Sequence, residues 1–203
     1  MREESAFRAT AAALVFAAAA VSGYHRRKAD AAAPEETSAV EEEGLLTAAA
    51  LRLSGLALML SVATYALNPR WMAWSSVRLP APVRWSGAVV GTAALPVSWW
   101  VFESIGKNIT PTVATREQHE LVTSGPFRWV RHPLYVTGTT FFASLSVVAA
   151  NWFMGLASLS VLVMLLVRLP EEEGRLLERF GEEYAEYMKR TGCLLPRLLP
   201  DRR

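Results

Sequence analysis

Apolar residues fall along this chain in five long runs: Phe7–Tyr24, Leu45–Leu67, Trp85–Ile105, Leu134–Ala150 and Trp152–Leu169. Each lies near the roughly 20 residues that cross the hydrocarbon core of a bilayer, so the pattern predicts five transmembrane helices with the termini on opposite faces. Only Asn151 parts the last two runs, which predicts a tight helical hairpin. Beyond Pro170 the pattern changes. Leu176, Leu177, Phe180, Tyr184, Tyr187 and Met188 recur at the spacing of an amphipathic helix. Proline is tolerated in a first helical turn and carboxylates favour the positive end of the helix dipole, so Pro170 and Glu171 to Glu173 suit the start of a separate helix, with Gly192 and Pro196 ending it. The fold class expected is an all-α integral membrane protein: about five transmembrane helices plus a C-terminal amphipathic cytoplasmic helix.

Composition agrees with a membrane protein, since 52% of the 203 residues are hydrophobic and 20% are charged. Small residues before His25 imitate a signal-peptide cleavage region, but Glu3 and Glu4 oppose the positive start such a peptide carries, so the first run is read as a span. Lys and Arg set the orientation. Arg26, Arg27, Lys28, Lys107, Arg116, Arg128, Arg131 and the tail from Arg168 fall on one face, against Arg2, Arg8, Arg70, Arg78 and Arg84 on the other. The 106–133 loop and the C-terminal tail are therefore expected in the cytoplasm, in an inner membrane if the chain is bacterial, as its Ala- and Arg-rich composition suggests. Residues 30–44 read as a flexible acidic linker within an N-terminal helical region, 1–105, and the region that follows, 106–203, is expected to carry the chemistry. A net charge of +2 and no basic stripe argue against nucleic acid. A single cysteine, Cys193, excludes a Cys-rich metal site, and no metal ligation is expected.

The hairpin has a consequence for chemistry. Arg131, His132 and Tyr135 enter the membrane where Arg168 and Glu172 leave it, so two ionisable clusters far apart in sequence should meet at one boundary. Taken singly, Arg128 and Arg131 read as positive-inside anchors, Trp129 as an interfacial residue and Arg168 as a snorkelling side chain. His132 before Pro133 is different, because proline fixes a helix start there and the terminus favours anionic groups. Arg52 is the one charge well inside a span, and no partner for it is legible. No phosphate-binding glycine loop, HExxH or GxSxG occurs.

The order "HELVTSGPFRWVRHPLYVTG", hairpin, "RLPEEEGRLLERFGEEYAEYMKRTG" resembles the isoprenylcysteine carboxyl methyltransferase family, kin to the membrane phospholipid N-methyltransferases, over roughly residues 100 to 200. The resemblance implies S-adenosylmethionine held between the last spans and the C-terminal helix, and a lipid-like or prenylated acceptor entering from the bilayer. It assigns His119, Glu120, Leu121 and Val122 to the adenosyl part, with Thr112 at a variable position. Phe127 stands where the family usually has tyrosine, and His132, Pro133, Leu134 and Tyr135 form the second cofactor wall. Glu172 is assigned to the cofactor and Arg168 to the acceptor. Methylation of a carboxylate is the leading expectation. A phospholipid amine N-methyltransferase, an NADPH-dependent membrane reductase and a non-enzymatic membrane scaffold are the alternatives.

Overall fold

A computed structural model describes residues 2–32, 45–106 and 121–197. The described residues are almost entirely helical: α1 (Arg2–Ala32), α2 (Leu45–Leu67), a 3-10 helix (Pro69–Ser75), α3 (Ala81–Ile105), a 3-10 turn (Gly125–Arg128), α4 (Pro133–Ala149) and α5 (Trp152–Arg190). Each of the five predicted runs lies in a helix. Four of these helices are long and apolar enough to cross a membrane, and α4, at 17 residues, is shorter. The chain is an α-helical integral membrane protein. Of the acidic segment, residues 33–44 lie outside the described residues, while α1 itself runs on to Ala32.

Helix α2 shows why an evenly apolar helix still orients. Leu58, Ser61, Val62 and Tyr65, at helical spacing, are buried, whereas Leu46, Leu53, Leu60 and Leu67 are exposed at intervals of seven. Two stripes on one helix, one facing the bundle and one facing lipid, follow from 3.6 residues per turn. Arg52 is exposed near the start of α2, where its long stem lets the guanidinium reach the boundary.

Contacts between helix ends fix the up-and-down arrangement. Glu4 of α1 accepts from Tyr65 of α2 at 2.9 Å and from Arg84 of α3 at 2.7 Å, and Arg84 also donates to the Val148 carbonyl of α4 at 2.8 Å. The α4–α5 hairpin turns at this same end: Ala150 takes a left-handed φ of 48°, and Asn151 caps α5 through Met154 N–H while donating to Ser75 at 2.8 Å. At the opposite end Lys28 of α1 meets Glu103 of α3 at 2.8 Å. Exposed tryptophans mark both boundaries, Trp71, Trp74 and Trp152 at the first and Trp99, Trp100 and Trp129 at the second.

Helices α3 and α4 form the most extensive contact in the bundle. Small residues allow it: a Cβ on Gly87 would lie 2.9 Å from the Ser144 carbonyl, and one on Gly91 2.6 Å from Ser144 Oγ. Gly87→Ala is expected to force the helices apart at a cost of about 1–3 kcal/mol, read as a lowered melting temperature in detergent. The same change at Gly23, where nothing lies within 4 Å of the added carbon, should be neutral by comparison.

One expectation fails. No new helix begins at Pro170. Helix α5 runs through it for 39 residues, and its irregular point is Gly181, with φ 53°. A proline inside a helix loses one backbone bond, but at a membrane boundary the freed carbonyl can be satisfied by other donors. The glutamates after Pro170 are tied to α4 and the segment before it, which anchors the helix just beyond the proline. Helix α3 likewise continues through Pro96.

Candidate functional site

The site lies where α4 begins and the apolar part of α5 ends. Pro133 occupies the first turn of α4 and His132 is its N-cap residue, with no side-chain cap bond. Its ring stacks on Tyr135 with centroids 5.2 Å apart. Two consecutive glutamates of α5 approach this pair. Glu172 accepts a short hydrogen bond from the Tyr135 hydroxyl and lies 3.7 Å from His132 Nδ1, and Glu173 lies 3.2 Å from His132 Nε2. The two clusters expected to meet do meet. Arg168 sits one turn before Glu172 on the same side of α5, half-buried.

Glu173 is the centre of a second layer that sequence reasoning undervalued. Its carboxylate accepts from Arg131 Nε at 2.7 Å as well as facing His132. The Arg131 and Glu173 side chains are 10% and 15% exposed, so this is a desolvated pair rather than the surface anchor first assigned to Arg131. Burial pushes the Glu173 carboxyl up, but the hydrogen bonds from His132 and Arg131 outweigh it and hold it down at about 2. Arg128, by contrast, is exposed and stacks on Trp129 at 3.9 Å, as an interfacial residue should.

The chain after α5 returns to strap this layer down. Val130 and Gly192 form a parallel bridge, in which Gly192 N–H donates to Trp129 O while Arg131 N–H and His132 N–H donate to the carbonyls of Gly192 and Cys193. Arg131 also donates to the Thr191 carbonyl at 2.5 Å. Phe127 is buried in the 3-10 turn, and its carbonyl accepts from the Tyr187 hydroxyl at 2.6 Å. The turn needs Gly125, whose φ is 60° and whose missing Cβ would lie 2.5 Å from Ser104 Oγ. No periodicity or motif marks the Val130–Gly192 pairing in the sequence. Only the recurrence of Tyr184 and Tyr187 at buried spacing hinted that the tail folds back.

His132, Pro133, Leu134, Tyr135 and Glu172 are therefore brought together, with Arg168 adjacent. Leu121 and Val122 lie in the irregular segment leading into the 3-10 turn, half-buried. His119, Glu120 and Thr112 lie outside the described residues.

Residues 88–178 match the isoprenylcysteine carboxyl methyltransferase family. Over this segment the chain is similar to that family. The human protein-S-isoprenylcysteine O-methyltransferase is 38% identical over 94 residues, which cover 45% of this chain and 33% of the human protein. The Dictyostelium discoideum protein of the same name is 30% identical over 118 residues, 55% of this chain and 48% of that protein. This chain thus spans less than half the length of the curated relatives it matches. The solved structure of a eukaryotic intramembrane Ras methyltransferase of this family aligns over 85% of this chain and 62% of that one, with a TM-score of 0.54 and 21% identity. The fold is shared, including helices outside the matched segment.

Proposed function

We propose that this chain transfers a methyl group from S-adenosylmethionine to the carboxylate of a lipid-like, isoprenylcysteine-type acceptor, at the cytoplasmic face of the membrane that holds it. The observation that carries the reading is the meeting of the His132–Tyr135 helix start with Glu172 and Arg168 at the edge of the apolar spans.

The donor set suits such a cofactor. Tyr135 and His132 orient Glu172 from one side, yet its side chain stays 27% exposed, leaving acceptor capacity for hydroxyl or ammonium groups. The N-terminus of α4 adds the positive end of its helix dipole, which favours an anionic group. Bound there, the cofactor would supply an electrophilic methyl on a sulfonium centre. The chain's own contribution is placement: Glu172 holds one partner, and Arg168, a planar two-donor fork, orients the acceptor carboxylate. The apolar helices keep water from the approach, and most of the acceleration comes from holding the two groups at attacking distance. A carboxylate acceptor carries its attacking lone pair already and needs no base, which suits a site whose two glutamates are both engaged by donors.

Calorimetric titration of the detergent-purified chain with S-adenosylhomocysteine tests this, with NADPH in parallel. Saturable binding is expected, weakened at least tenfold by Glu172→Gln, the loss of about one charge-assisted hydrogen bond. Arg168→Ala should leave that affinity intact and abolish turnover on a carboxylate acceptor. Binding of NADPH instead would move the assignment to a reductase, and binding of neither by folded protein to a scaffold.

A further inference from the structure

Glu173 and His132 share their pocket with the chain's single thiol. His132, Glu173 and Cys193 each offer a metal-ligating atom, all within 4.8 Å of one another. We propose that these three residues form a site for one thiophilic divalent cation, Zn2+ or Cd2+, and that its occupation shuts the cofactor wall to which His132 belongs. The inhibitory half rests on the cofactor reading above; the metal site does not.

Geometry favours it. Bonds of about 2.0–2.3 Å in a tetrahedron set ligand atoms roughly 3.3–3.8 Å apart. His132 Nε2 and Glu173 Oε1, at 3.2 Å, already stand close to such an edge. The widest separation must close by about 1 Å, which rotation of Cys193 on the segment after α5 can supply. The outer partners of a metal site are also in place. With Nε2 bound to the metal, the His132 proton lies on Nδ1, which faces Glu172 Oε1 at 3.7 Å, and Arg131 remains the donor to the Glu173 carboxylate. Independently, the Tyr184 hydroxyl is buried without a hydrogen-bond partner, and the strongest charge acting on it is that of Glu173. Water in the fourth coordination position would give it one. On binding, the sulfur–metal bond forms, the thiol proton leaves to solvent, and the His132–Glu173 hydrogen bond is replaced by coordination.

The freshly reduced full chain in detergent is titrated with Cd2+, reading the ultraviolet thiolate-to-cadmium charge-transfer band, and with Zn2+ by calorimetry. One Cd2+ per chain is expected, with affinity at least tenfold weaker in His132→Gln. An unchanged titration in that variant would mean a solitary thiolate and overturn the site, as would no band in the wild type. Cys193→Ser, a small change at a half-buried position, gives a second arm: loss of the one-per-chain Zn2+ heat is expected, and retained heat overturns the proposal. For inhibition, Cd2+ should weaken S-adenosylhomocysteine binding at least tenfold in the wild type and not in Cys193→Ser; unaltered wild-type binding overturns that half. Failure of metal-free wild type to bind S-adenosylhomocysteine would instead sink the cofactor reading while leaving the cadmium band to stand.

Discussion

Glu173→Ala is expected to cost about 3–5 kcal/mol of stability, the usual penalty for removing one partner of a buried ion pair, and to abolish S-adenosylhomocysteine binding although Glu173 is assigned no contact with the cofactor. Arg131 would be left as a charge 10% exposed, retaining only backbone acceptors, and His132 would lose the carboxylate opposite Nε2. Stability and positioning can be separated. Replacing both charges with apolar residues of similar size, Arg131→Met with Glu173→Leu, should recover most of the melting temperature, because a desolvated pair contributes little net stability over good packing. It should not recover binding, since nothing then fixes the His132 ring. If the double variant bound S-adenosylhomocysteine normally, Glu173 would be a packing residue only. The pair also predicts a pH dependence. The folded-state carboxyl titrates at about 2, below its ordinary 4.5, so the folded state favours the ionised form. The resulting stability, about 3 kcal/mol, is fully present above pH 4.5 and is lost as pH falls toward 2. Melting in detergent should track this fall in the wild type and flatten in the double variant.

The sequence was most legible where one physical rule acts alone. Runs of apolar residues located all five helices, because a membrane-length helix requires little else. Pro133 fixed the start of α4 and brevity fixed the hairpin at Asn151, both local constraints. The meeting of His132 with Glu172 followed from combining them, since a hairpin returns the chain to the face it left. Three things resisted. Pro170 looked like a helix boundary because propensity is a local average, and only the tertiary contacts of Glu172 and Glu173 show why the helix continues. Arg131 and Glu173 were harder still: an arginine before a span has the same appearance whether it anchors in lipid headgroups or pairs internally. The burial that distinguishes them comes from residues 191–193, sixty positions away and without a motif. The outer cluster of Glu4, Tyr65 and Arg84 went unread for the same reason, as its members belong to three helices and none is unusual at a membrane boundary.

That outer cluster carries the second large expected effect. Arg84→Ala should lower stability by about 3 kcal/mol. Arg84 does four things at once: it pairs with Glu4 at 2.7 Å, donates to the Tyr65 hydroxyl at 3.0 Å, lies over the face of Phe7 at 3.8 Å, and donates to the Val148 carbonyl at the C-terminal end of α4. The arginine side chain is only 12% exposed, although Glu4 is 40% exposed, which places the loss at the lower end of the range for buried pairs. Lysine should not rescue it, since a single ammonium cannot reach the carboxylate and the carbonyl with the geometry of the guanidinium fork. Tyr65→Phe, which removes one hydroxyl from the same cluster, should cost nearer 1 kcal/mol. Melting in high salt separates this reading from a surface ion pair: screening should leave the difference between wild type and Arg84→Ala nearly unchanged, and its disappearance would mean the pair is merely exposed. The cluster and the Arg131–Glu173 layer stand at opposite ends of α4, roughly 25 Å apart at 1.5 Å per residue, with no shared partner. Their losses should therefore add within about 0.5 kcal/mol when Arg84→Ala is combined with Glu173→Ala, and Arg84→Ala alone should leave S-adenosylhomocysteine affinity unchanged below its melting temperature. A strong departure from additivity would show that α4 couples the two ends as one rigid element, and that the site depends on the far boundary for its shape.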